Sequence, residues 1–200
     1  MKQLYSAIIV TTSLFFCSLI GTTQTNEAKA NTDNFKTDSV ELRQLIFKLL
    51  KWKESELPHN EDFPLITDKA NDSIYIGINW VAHKRRIKQL ENTGLFTQEF
   101  ISTYQKIAEH LDKELKQNKI KYYVGELPPY DHANEWCDCQ DYPINVWKRL
   151  RITNVKITDH LASFKWTWAR DFFYSVKAQK TNGKWKIAQL EKFSIKNFIW

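Results

Sequence analysis

Glycine and proline are scarce in this chain, with five of each among 200 residues. A chain short of glycine and 14 % aromatic is not a disordered or low-complexity polymer, because such polymers lack the large apolar side chains that build a core. No internal repeat is present. No Gly-x-Ser-x-Gly elbow occurs, which removes the usual serine-hydrolase arrangement. Of three cysteines only Cys137 and Cys139 form a motif, so the paired motifs of a structural zinc site are missing. Charge of neither sign dominates. A net charge of +6 bears on solubility and loose attraction to anions, and does not by itself imply nucleic acid.

The first thirty residues read as a targeting segment. Lys2 is a short positive region, and Ala7 to Ile20 is mostly apolar but too short for a span of ~20 residues. Ala28-Lys29-Ala30 supplies a small-x-small cleavage pattern, so processing is expected after Ala30, with delivery to the periplasm or the exterior. Phe15 and Phe16 stand where a lipobox before Cys17 needs small residues, which argues against lipidation. The expected organisation is a signal peptide over 1–30, a flexible polar leader over 31–37 and a single domain over 38–200, a length that suits one core. Such a product would seldom meet nucleic acid and keeps no stable membrane span. In an oxidising compartment Cys137 and Cys139 are expected to bridge, provided that the chain turns tightly at Asp138.

The pattern of apolar residues predicts the elements. Asp38 and Glu41 resemble a capping box opening a first helix, with Leu42, Leu45, Ile46, Leu49 and Leu50 as one stripe. A second helix is expected over Asn79 to Thr93, with Trp80, Val81, Ile87 and Leu90 inward and Gly94 closing it. The third starts at Thr97 and stops near Asn118, burying Phe100, Tyr104, Ile107, Ala108, Leu111 and Leu115. Ile74 to Ile78 fits either a short strand or a helix lead-in, and Lys119 to Val124 reads as a strand. Glu126 to Pro143 is a long loop. From Asn145 to Phe193 strands follow, with alternation over Ala162 to Trp168 and Phe172 to Ala178. The Asn182-Gly183 pair marks a type I′ hairpin turn. The last strand changes phase at Ile187/Ala188, the signature of a β-bulge.

Helices followed by a bent antiparallel sheet ending in YSVKAQKTNGKWKIAQLEKF resemble the nuclear transport factor 2-like superfamily. The segments GINWVAHKRRIKQLENTGLFTQEFISTY and CDCQDYP are similar to a bacterial family of exported domains of unknown function within it, over roughly Val40 to Phe193. The resemblance implies an α+β fold in which three N-terminal helices pack on a strongly bent, cone-like antiparallel sheet of about four strands. It carries over no activity, and this fold hosts enzymes, binders and assembly modules alike.

No acid is placed at an apolar-flanked mid-strand position opposite a donor, as an isomerase-like site requires. Asp159 and Asp171 read as turn residues. His132 with Cys137 and Cys139 is too few ligands for a structural metal site, and no cofactor is expected. The residues with binding character are Trp166 and Trp168 as walls of a pocket, with Asp141 and Tyr142 at its rim. Lys84, Arg85, Arg86 and Lys88 form a basic patch that is either a solvated face or a surface for an anionic partner. These features favour a non-catalytic cell-envelope module binding a ligand or protein. An immunity or inhibitor protein against an envelope-acting toxin or hydrolase, and a small isomerase-like or hydrolase-like enzyme, stay open as alternatives.

Overall fold

The computed structural model describes residues 21–56, 62–70, 73–117, 119, 121–126, 134–139 and 144–198, with side chains from residue 34 onward. The apolar run of the leader, Cys17, His132, Asp141 and Tyr142 lie outside the described residues. The chain divides into two compact units, Met1–Thr37 and Asp38–Trp200. In the first, residues 21–37 are helical. The second unit is described below.

Among the described residues its class is α+β, with three α-helices, a two-stranded and a four-stranded antiparallel sheet. Helix α1 spans Gly21–Glu56, so it begins well before Asp38. No proline or further glycine interrupts it, and Asp38 does not act as a cap. Its carboxylate instead accepts hydrogen bonds from Lys180 Nζ at 2.6 Å and Trp185 Nε1 at 2.8 Å. The stripe from Leu42 to Leu50 is buried as the 3.6-residue period requires.

Strands β1 (Leu65–Thr67) and β2 (Tyr75–Ile78) pair as a small hairpin. The apolar segment from Ile74 is therefore strand. Helix α2 covers Trp80–Thr93, with the Asn79 side chain accepting from Ala82 N at 3.1 Å and Gly94 closing it at φ +66°. Its inward face differs from the apolar reading: Val81 is 71 % exposed, while His83, Arg86 and Leu90 are buried. Helix α3 covers Gln98–Lys116, and the Thr97 hydroxyl accepts from Phe100 N at 3.2 Å. Its six expected apolar positions are all buried. The segment expected as a strand from Lys119 forms only a single bridge, between Ile74 and Tyr123, among its described residues.

A single 3-10 turn at Val146–Arg149 precedes the large sheet, so the strands begin at Arg151 rather than at Asn145. The sheet order is β3 (Arg151–Thr158), β4 (Leu161–Thr167), β5 (Tyr174–Thr181), β6 (Lys184–Leu190), each hydrogen-bonded to the next. Asn182 and Gly183 have φ of +51° and +73°, the geometry of a type I′ turn. The register passes from Lys177↔Gln189 to Ala178↔Ile187, leaving Ala188 as the extra residue of a bulge where the phase changes. A second bulge lies between Thr153 and Lys156, with Asn154 at φ +53°. The inward residues Ala162, Phe164, Trp166, Tyr174, Val176 and Ala178 join the helices in one core, and a second 3-10 turn, Ile195–Phe198, adds Phe198.

Candidate functional site

The helical period carries two cations into the core. Lys53 continues the stripe set by Ile46, Leu49 and Leu50 on α1, and Arg86 lies between His83 and Leu90 on α2. Lys53 is 3 % exposed and Arg86 is 2 % exposed, so each needs a partner inside. Asp62 provides the common one. Its Oδ1 accepts from Arg86 Nε at 3.1 Å and Nη2 at 2.8 Å. Its Oδ2 accepts from Trp136 Nε1 at 2.6 Å and Lys53 Nζ at 3.2 Å. The Tyr104 hydroxyl bonds the Asp62 carbonyl oxygen and lies 3.1 Å from Oδ1. Glu56 completes the group, accepting from Arg86 Nη1 at 2.6 Å, with Lys53 3.7 Å from its other oxygen. The rings of Trp52 and Trp136 cover the Arg86 guanidinium at 5.1 and 6.0 Å.

Two cations face two carboxylates in this network, and burial acts on all of them. For Asp62 burial opposes ionisation, but the charges of Lys53 and Arg86 and the Trp136 N–H outweigh it and hold its pKa below the usual carboxylate value. For Arg86 burial works against the charge and Asp62 and Glu56 more than restore it, so its pKa is raised. Burial keeps the Tyr104 hydroxyl protonated well past its ordinary range. At neutral pH, then, Asp62, Arg86 and Tyr104 are each held in one protonation state, the opposite of the poise that a general acid or base needs. Together they clamp α1, α2, α3 and the Trp136 loop.

Trp136 is held by the cysteine motif. Cys137 and Cys139 form a disulfide with Cα atoms 5.2 Å apart, within the ordinary range, and Asp138 turns at φ +50° to allow it. The Asn134 side chain accepts from Trp136 N at 3.0 Å, and its backbone N–H donates to the Cys139 carbonyl at 2.8 Å. Lys192 pairs with Asp138 at 2.8 Å, and the Tyr174 hydroxyl donates to the Glu135 carbonyl.

The residues singled out by sequence scatter. Arg86 leaves the proposed basic patch because it is buried on Asp62 and Glu56, while Lys84, Arg85 and Lys88 stay outside that network and are all exposed. Trp166 is fully buried against Phe172 and Tyr174, so it is core rather than a pocket wall. Trp168 is half-buried beneath Arg149, 5.3 Å from its ring. The indole nitrogens of Trp166 and Trp168 lack an acceptor among the described residues. Among the described residues no cluster of three or more His, Cys, Asp or Glu could hold a metal ion. No helix among them is long and apolar enough to cross a membrane.

An open surface with polar side chains lies on the outward face of the large sheet. A groove of about 610 Å³ there falls within the usual size of a ligand site. Alternation along the strands turns Lys156, Ser163, Lys165 and Lys177 outward, and Ser175 and Lys196 also line it. Glu191 is the one carboxylate in the described lining, and it accepts the Ser175 N–H at 2.8 Å. Sequence reasoning missed both this groove and the Asp62 network. The signal for the network was a charged residue standing on an apolar stripe. Comparison with protein-family models, curated proteins and solved structures finds no match.

Proposed function

We propose that this chain is an exported, non-catalytic binding module of the cell envelope, with a nuclear transport factor 2-like domain from Asp38 onward and a signal peptide cleaved after Ala30. One observation carries the non-catalytic part. Asp62, Arg86 and Tyr104, whose ionisation is shifted, are sealed in a charge-balanced network, whereas the open groove presents lysines, neutral polar groups and one carboxylate, Glu191, which, against the effect of burial, the Ser175 N–H and neighbouring lysines hold ionised. Catalysis by proton transfer needs a titrating group in contact with substrate. Binding needs only a shaped surface of matching charge.

The test is a turnover screen of the purified chain on ester, phosphate-ester, glycoside and β,γ-unsaturated ketone substrates. No turnover is expected. Turnover that disappears in Asp62→Asn while the near-ultraviolet circular dichroism stays native would make the network an active site and overturn the reading. Mass spectrometry of protein from its host is expected to find Asn31 at the N-terminus, and an intact leader would overturn the export part.

A further inference from the structure

We infer that the groove on the outward face of the four-stranded sheet binds a linear phosphate polymer, seated across β3, β4 and β5. This rests on the binding reading above and names its ligand class. The four cations of the groove, Lys156, Lys165, Lys177 and Lys196, make no ion pair with a carboxylate among the described residues. The one acid, Glu191, is occupied by the Ser175 N–H and is held ionised, against the effect of burial, by that bond and by Lys192 and Lys165. The groove therefore carries net positive charge, four lysines against one carboxylate, and its complement is an anion.

Register says what kind of anion. Lys156 pairs with Ser163, and Ser163 pairs with Lys177, so one row across the sheet reads Lys-Ser-Lys. Lys165 pairs with Ser175 in the row two residues along β4. Strand spacing and rise then set the Cα atoms of Lys156, Lys165 and Lys177 roughly 8–10 Å apart. Flexible stems let a single phosphate draw such lysines together only at an entropic cost, whereas charges repeated along a chain meet each lysine where the register places it. All four cations are lysine, a point charge on a flexible stem, and none is arginine, whose planar fork selects one bidentate geometry. Lysines with serines between them tolerate shifts of register along a repeating anion. The concave shape fits a strand better than a flat bilayer. Single-stranded nucleic acid is favoured by exposed aromatic platforms. The aromatic ring in this lining, Phe164, is 3 % exposed.

The experiment is fluorescence anisotropy of the oxidised chain with labelled linear inorganic polyphosphate at several salt concentrations. Saturable binding that weakens as salt rises is expected. Lys165→Glu with Lys177→Glu should cut affinity at least about tenfold, and Lys165→Gln with Lys177→Gln should lower the salt slope by about two. The neutral pair guards against a reversal that perturbs folding. Reversal of Lys84, Arg85 and Lys88 should change affinity less than about threefold, since none of them lines the groove and exposed charges beyond a Debye length are screened. Loss of binding in that helix variant with retention in the sheet variants would overturn the inference. So would equal binding by all variants, tighter binding to phosphatidylglycerol vesicles or to single-stranded DNA of matched charge, or displacement of polymer by equimolar orthophosphate. If polyphosphate is ignored while a neutral envelope glycan binds in the same groove, the polymer class falls and the binding reading stands.

Discussion

Asp62 shows how one side chain can order a protein around itself. Its carboxylate and carbonyl gather donors from α1, α2, α3 and the Trp136 loop, and its charge is what keeps Lys53 and Arg86 tolerable inside. Asp62→Asn keeps the shape and removes the charge, leaving buried cations short of a partner. A loss of about 3–5 kcal/mol is expected, read as a fall in the urea midpoint at pH 7. Because the folded pKa of Asp62 is depressed, its contribution is present above the ordinary carboxylate range and fades as pH falls through the folded value. His83 adds a separate acid step. Burial lowers its pKa below 6.5, against the pull of Gln105 and Glu109, so the unfolded chain binds its proton first. Stability should decline as pH drops below 6.5, and urea melts of His83→Gln should lack that decline. Single residues are unevenly legible. Asn79, Thr97 and Gly94 carry their roles in local chemistry, as caps do. Asp38 looks the same locally, but a lysine and a tryptophan from the far end of the chain claim it.

At the scale of elements, period is a good guide where one side of an element faces water. The buried positions of α3 and the alternation of β4 and β5 follow it. The bulge at Ala188 is legible for the same reason, since a slip in alternation has few other causes. A start signal stands at Asp38, yet a helix extends until something stops it, and nothing between Thr22 and Glu56 does. Strand β1 escapes, and β2 reads as either strand or helix lead-in, because strands this short carry almost no period. Groove and network escape because both depend on which elements meet, not on spacing within one. The β5–β6 turn gives a direct check. Gly183 sits at φ +73°, where a β-branched side chain is strained. Gly183→Val should cost more than about 1 kcal/mol, seen as a lower melting temperature, whereas Gly183→Asn should be much milder.

Across the whole molecule, most pairings join neighbours in sequence. Each strand of the large sheet binds the next, and β1 pairs with β2. Such contacts close small loops and form quickly. The bonds from Asp38 to Lys180 and Trp185 are of another kind, since they join residues 142 and 147 positions apart. Closing so long a loop carries an entropic cost that local pairings avoid. The clasp is therefore expected to shut after the sheet is built, and to act as a bolt on the way out rather than a guide on the way in. Asp38→Ala should lose about 2 kcal/mol through missing charged hydrogen bonds. In stopped-flow experiments nearly all of that loss should appear as faster unfolding, with the refolding rate unchanged. A slowed refolding limb would place α1 in the folding nucleus instead. By the same token, against a protease that cuts only the unfolded chain, faster than it can refold, the survival of the protein would shorten in step with the loss of this one carboxylate.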